Sequence, residues 1–288
     1  MEKYYMAAMG GAKGLGHKGI AQLVKLFGSA ADAWLFDIDE LVSAIIRPKT
    51  IDAFVDLRRK QPNAPEELRS YCERHEINLC CISDEDYPPL LKEIDSPPMF
   101  FYYRGKLQPR AQRIGIVGSR RCLLAGQEVA LEFSEQIAAA GLTVVSGAAM
   151  GIDTFAHCGA LKAGRTVAVL GCGINCVGSP VREKFLAQIA ENGVVISELN
   201  PLVTPTTGTL IARNRIIAGL CQGLVVVEAE IKSGTMSTAN YARNYGRKVF
   251  AVSKKNYKDN SLGINQLICR GAVPIKSSFD VLIDTPQG

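Results

Sequence analysis

Three histidines and one tryptophan are all that 288 residues supply of two side chains that often carry chemistry. Cys80-Cys81 and Cys172-x-x-x-Cys176 are the only close cysteine pairs, and neither has a second pair or a histidine beside it, so zinc-ligand spacing is absent. Nine cysteines, an odd number without framework spacing, fit buried reduced thiols better than disulfides. No apolar run is long enough to span a bilayer, and the opening MEKYYMAAMGGAKG lacks the apolar core of a signal peptide. A soluble cytoplasmic protein with no membrane partner is therefore expected. There is no G-x-x-x-x-G-K-[ST] segment, which leaves a Walker-type nucleotide site unsupported. No Ser-His-Asp, Cys-His or paired-carboxylate set is visible either, so neither a catalytic residue nor a cofactor is expected.

What is present is a packed core and a lopsided charge. Hydrophobic residues make up 47% and charged residues 21%, enough to bury a large core or two modest ones. Residues 1–106 carry 14 Lys/Arg against 16 Asp/Glu, whereas residues 107–288 carry 19 against 12. The positive excess of the second part suits a polyanion.

That second part is organised around RIGIVGSRR, residues 113–121. Ile114 to Val117 read as a buried strand, Gly118 and Ser119 break it, and Arg120 and Arg121 follow at once. A strand, a glycine turn and then a helix set backbone N–H groups at the carboxyl edge of a sheet, and two guanidinium groups there favour phosphate. The pattern then repeats. A helix over about 125–140 turns Val129, Phe133 and Ile137 to one face; a strand at 142–145 ends in SGAAMGID, with Ser146 and Gly147 as a second small-residue turn. Asp153 reads as a helix-end carboxylate and His157 as a hydrogen-bonded structural histidine. Strands follow at 166–170, 194–197, 223–228 and 247–253, with helices at 181–192, 212–220 and 236–245. Residues 199–209 read as a loop, after which Arg213-Asn214-Arg215 opens a helix as a second anion-facing cluster. Ser233-Gly234-Thr235 is a third small-residue turn before a helix. The sum is an α/β fold with a parallel sheet covered on both faces.

Residues 1–76 read differently, as a small helical domain of sterile-alpha-motif or helix-hairpin-helix type, with Trp34 as a core anchor. Further helices are expected at 30–45, 50–60 and 65–76. GLGHKG at 14–19 matches G-x-G-x-x-G by letter, but no strand precedes it, so it reads as a scaffold hairpin. Residues 77–110 supply lead-in strands at 77–82 and 99–103 and a linker. The aromatic run 100–103 is expected to pack in the core.

IGIVGSRR, SGAAMGIDTFAH, VLGCGIN, ISELNP, ARNRIIAGL and VVVEAEIKSGTMSTANYARNYGRKVFAV stand in one order and spacing, behind DYPPLLKEIDSPPMFFYYRG. With these linked motifs the chain resembles the DNA-processing protein A (DprA/Smf) family over nearly its whole length. The resemblance implies an extended Rossmann-like domain behind a small helical domain. It also implies sequence-independent binding of single-stranded DNA, a homodimer, and delivery of the strand to the recombinase RecA in natural transformation. Carried over, Gly118-Ser119-Arg120 matches the family's phosphate-gripping turn, and Ser146-Gly147, Arg213-Asn214-Arg215 and Ser233-Gly234-Thr235 match its other pocket positions. Thr207, Leu210 and Ile211 stand where relatives often place an aromatic or proline, and Gly178-Ser179-Pro180 replaces a Tyr-Pro. The rival reading is a nucleotide-binding or phosphoribohydrolase-like enzyme of the same broad fold. Such an enzyme needs a glutamate shortly after the third turn, where this chain has Thr238 and Ala239.

Overall fold

The computed structural model describes residues 1–37, 48–253 and 262–284, with the backbone alone for 48–51. Five helices open it: α1 (Glu2–Met9), α2 (Gly16–Phe27), α3 (Ala30–Leu35), α4 (Pro48–Lys60) and α5 (Ala64–Arg74). Residues 10–15 turn α1 into α2, so the GLGHKG segment closes that turn and begins α2 at Gly16, a hairpin between helices. Ser29 caps α3 by accepting from the Asp32 N–H at 2.9 Å. Of the helix expected at 30–45, α3 is the part that falls within the described residues; residues 38–47 lie outside them. Trp34 is 3% exposed and meets Phe54 edge-on with ring centroids 5.7 Å apart, the core anchor expected of it.

The rest of the chain builds one sheet. Its elements are β1 (Asn78–Cys81), α6 (Pro89–Lys92), β2 (Phe100–Gly105), β3 (Arg113–Val117), α7 (Leu124–Ala139), β4 (Thr143–Ser146), α8 (Ile152–Ala163), β5 (Thr166–Leu170), α9 (Pro180–Asn192), β6 (Val194–Ser197), α10 (Thr207–Leu220), β7 (Gly223–Val226), α11 (Gly234–Asn244), β8 (Lys248–Val252), α12 (Leu262–Cys269), β9 (Val273–Ile275) and α13 (Ser278–Asp284). Strand order is β1-β2-β6-β5-β4-β3-β7-β8-β9. Strands β3 to β9 pair in parallel, and β1 and β2 continue the sheet antiparallel beyond β6. The lead-in strands are therefore part of the main sheet. Their apolar faces need a partner, and β2 finds it in the register Tyr102 to Ser197 through Gly105 to Val194. β9 was not anticipated: three residues with a central Pro274 give no periodicity to read.

The chain starts the parallel part at β3, runs outward to β6, then returns to lay β7 on the other side of β3. The order of strands reverses there, and the crevice at their carboxyl ends is the fold's natural binding position. Helices α7, α8 and α13 cover one face, where Val129, Phe133 and Ile137 pack on Ile114, Ile116, Val144 and Phe250. Helices α10, α11 and α12 cover the other with Ile216, Ile217, Met236, Ala239 and Leu267. Among the described residues the N-terminal helices have no core of their own. Tyr4, Met9, Ile20, Trp34 and Phe54 join Phe100, Tyr102, Leu170 and Ile189 in one cluster. Phe101 packs on the other side of β2, so the aromatic run lies in the core as expected. Burial pushes the thiols of Cys80, Cys81 and Cys221 up to about 12, away from reactivity.

Candidate functional site

A cleft of about 890 Å³ opens at the crevice between β3 and β7. The turn after β3 supplies Gly118, Ser119, Arg120 and Arg121; the segment after β7 supplies Glu230, Ile231, Lys232, Ser233, Gly234 and Thr235. Facing sides of α10 and α11 form the walls. On α10 these are Thr207, Leu210, Ile211, Asn214 and Ile217, spaced as one helical face; on α11 they are Ser237, Asn240, Tyr241 and Asn244. Arg120 and Lys232 are exposed at the rim, as is Glu230, while the other carboxylate of the lining, Asp153, is buried.

Each turn is held by its neighbours. The Ser119 hydroxyl accepts from the Arg121 N–H at 3.1 Å, and the Ser119 carbonyl accepts from the Ile152 N–H at 3.2 Å, tying the β3 turn to the start of α8. Ser233 caps α11, donating its hydroxyl to the Glu230 carbonyl at 2.8 Å and accepting from Met236 N–H at 3.4 Å. Asn214 donates to the Gly234 carbonyl at 3.2 Å, which fixes α10 against the same turn. A Cβ placed on Gly234 would meet nothing closer than Asn214 Nδ2 at 3.9 Å, so the N-terminus of α11 faces open space. Partial positive charge at that terminus adds to Arg120 and Lys232.

The other sequence-derived positions divide. Ser146 is fully buried and donates to the Ile116 carbonyl at 2.6 Å, joining β4 to β3 beneath the cleft. Gly147 is buried because Arg213 lies on it: a Cβ there would stand 2.2 Å from Arg213 Nη1. The Arg213 guanidinium donates to the Gly147 carbonyl at 2.6 Å and to the Val169 carbonyl, so it clamps the ends of β4 and β5. Burial lowers Arg213 to about 10, opposed by the carboxylate of Asp153, and it stays charged at neutral pH. Asp153 is itself pushed up by burial, against the pull of Arg213; it accepts from the Ala149 N–H at 3.3 Å.

Three expectations need correction. First, Arg213-Asn214-Arg215 does not open a helix. α10 begins at Thr207, where Thr206 accepts from Thr209 N–H at 3.1 Å and Thr209 accepts from Thr206 N–H at 2.9 Å. This reciprocal cap turns the end of the expected loop into helix. Second, Arg215 does not line the cleft. Two positions apart on a helix is roughly 200° of rotation, so Arg213 and Arg215 point to opposite sides. Arg215 pairs with Glu198, and His17 of the GLGHKG hairpin contacts the same Glu198 oxygen while accepting from Met99 N–H at 2.9 Å. Burial pushes the Glu198 carboxyl up, but the hydrogen bonds and charges of His17 and Arg215 outweigh it and hold the carboxyl below its usual range. This trio joins α2, β6 and α10. Third, the N-terminus of α7 is not open to an anion. Glu228, fully buried just after β7, accepts from the Leu123 N–H at 3.2 and 3.3 Å. Gly126 leaves the room: a Cβ there would be 1.9 Å from Glu228 Oε1. The chain's own carboxylate occupies the position a nucleotide phosphate takes in a dinucleotide fold. A carboxylate ending the apolar run LVVVE was the signal available in the sequence.

The described residues contain no group of three or more potential metal ligands, and no helix among them is long and apolar enough to cross a membrane. A family model described as DNA recombination-mediator protein A matches residues 78–286. The chain belongs to that family. Among recombination-mediator A relatives, Protein Smf of Synechocystis sp. is 34% identical over 98% of this chain and 72% of its own length. DNA processing protein DprA of Bacillus subtilis is 34% identical over 81% of this chain and 79% of its own. The crystal structure of DprA from Streptococcus pneumoniae superposes with a TM-score of 0.86 at 28% identity, covering 100% of this chain and 99% of that one. The structure of Helicobacter pylori DprA, described for its single-stranded DNA binding mode, matches with a TM-score of 0.66 at 26% identity over 73% of this chain and 98% of its own. The family is thus one of DNA processing and recombination mediation, and its extended Rossmann-like architecture is that of this chain.

Proposed function

We propose that this protein binds single-stranded DNA without regard to sequence, through its phosphodiester backbone, in the cleft between β3 and β7. It protects the strand and delivers it to RecA, acting as a homodimer. The observation that carries this reading is the meeting of the Gly118–Arg121 turn and the Ser233–Thr235 turn in one cleft at the sheet's switch point, with Arg120 and Lys232 at its rim. Such a pair of N–H-rich turns suits successive phosphates of a strand better than one compact nucleotide. Glu228 at the α7 N-terminus supports the same choice, since it holds the place of a mononucleotide's phosphate. The recombination-mediator description of the family supports the RecA step.

The test is a fluorescence anisotropy titration of labelled oligo-dT at several salt concentrations. The logarithm of the binding constant should fall linearly with log salt. Arg120→Ala should weaken binding to unrelated sequences alike and flatten the slope by about 0.7, the loss of one phosphate contact to a single strand. Salt-insensitive binding, or release of a base from an added mononucleotide, would overturn the reading in favour of a nucleotide enzyme.

A further inference from the structure

The lining of the cleft has two chemistries. Ser119, Arg120, Lys232 and Gly234 offer a hydroxyl, two cations and an open helix start. Farther along α11 from Gly234, Asn240, Tyr241 and Asn244 line the cleft with an aromatic ring and two amides, and no cation stands among them. A groove that served phosphates alone would have no use for such a lining.

We propose that Tyr241 is a stacking platform for a nucleobase, and that the α10–α11 walls form a base slot next to the phosphate position at the Ser233–Thr235 turn. This rests on the reading of the cleft as a single-stranded DNA site. Tyr241 is half-buried and lines the cleft, while its other side packs on the hydrophobic cluster beneath the sheet. Tyr245, one helical turn on, stacks against it with ring centroids 6.0 Å apart and planes 25° from parallel. The ring is therefore fixed before any ligand arrives, and little side-chain freedom is lost on binding. From Gly234 to Tyr241 is about 10 Å along the helix axis, the order of one nucleotide's reach from phosphate to base. Asn240 and Asn244 each present a donor and an acceptor, which satisfy the edge of any base. A π-face accepts all four bases, so the slot strengthens binding without adding sequence preference.

The experiment compares an oligo-dT with an oligomer of the same length and charge whose bases are replaced by abasic sites, using the full chain. Wild type, Tyr241→Leu, Tyr241→Phe and Arg120→Ala are titrated by anisotropy at one salt concentration. The leucine variant keeps apolar packing on the core, and a thermal melt checks that it is folded. Tyr241→Leu should lose about tenfold in affinity for oligo-dT, the size of one base stack, and nothing for the abasic oligomer. Tyr241→Phe should bind both like wild type. Equal affinities of the folded leucine variant and wild type for oligo-dT, or an equal loss for both oligomers, would overturn the stacking role. If Arg120→Ala still weakens both oligomers, the backbone site survives that failure; if Arg120→Ala binds as wild type does, the backbone site itself is wrong.

Discussion

At the scale of single residues, His157 illustrates how burial sets a charge state. The Thr166 hydroxyl donates to the Val144 carbonyl at 2.9 Å, so it accepts from His157 Nδ1 at 2.7 Å. Nδ1 therefore carries the proton, and Nε2 lies buried without a partner among the described residues. Burial, with Arg213 nearby, lowers the ring from its ordinary 6.5 to about 3. Its folded form thus stays neutral where the unfolded chain takes up a proton. The resulting stabilisation is complete above pH 6.5 and is lost as pH falls toward 3, at up to about 1.4 kcal/mol per pH unit. His157→Phe should remove that slope; urea unfolding of both proteins at pH 7 and pH 5 checks it. The residue types at 120, 213, 214 and 233–235 were legible in the sequence, and the structure sets all of them around one cleft. What could not be read was direction. Arg213 and Arg215 are equal as letters, and only the phase of α10 separates a clamp under the cleft from a joint to the helical domain.

At the scale of elements, most strand–turn–helix units fell within a residue or two of their expected bounds, because buried parallel strands are short apolar runs that end in glycine or serine. The start of α10 escaped, since TPTTGT has poor helix propensity and is recruited by a threonine cap. That cap places Thr207, Leu210 and Ile211 on the cleft wall. Thr206→Ala should therefore cost about 1 kcal/mol in local helix stability. Hydrogen exchange should speed up at residues 207–211 first, with affinity for oligo-dT reduced only a few-fold.

At the scale of the whole molecule, the helical start and the sheet are legible as two compositional regions, yet they share one core. The sequence cannot express this, because the face of β2 that shares a core with Tyr4 and Met9 of α1 looks like any other aromatic strand. A fragment of residues 77–284 would expose Phe100, Tyr102 and Leu170, each losing about 1.5–3 kcal/mol of burial. It should melt well below the full chain and bind a hydrophobic dye; equal melting points would show that the helices contribute no shared core.

Glu228 has a consequence for how such scaffolds change hands. A doubly wound sheet normally leaves its first helix vacant for a cofactor; here the vacancy is filled from within by one side chain. Glu228→Ser would empty a buried, N–H-lined hollow of anionic charge while Gly126 keeps it roomy. Millimolar inorganic phosphate should then raise the melting temperature of the variant and leave wild type unmoved. What separates this architecture from a holder of small anions is a single internal carboxylate.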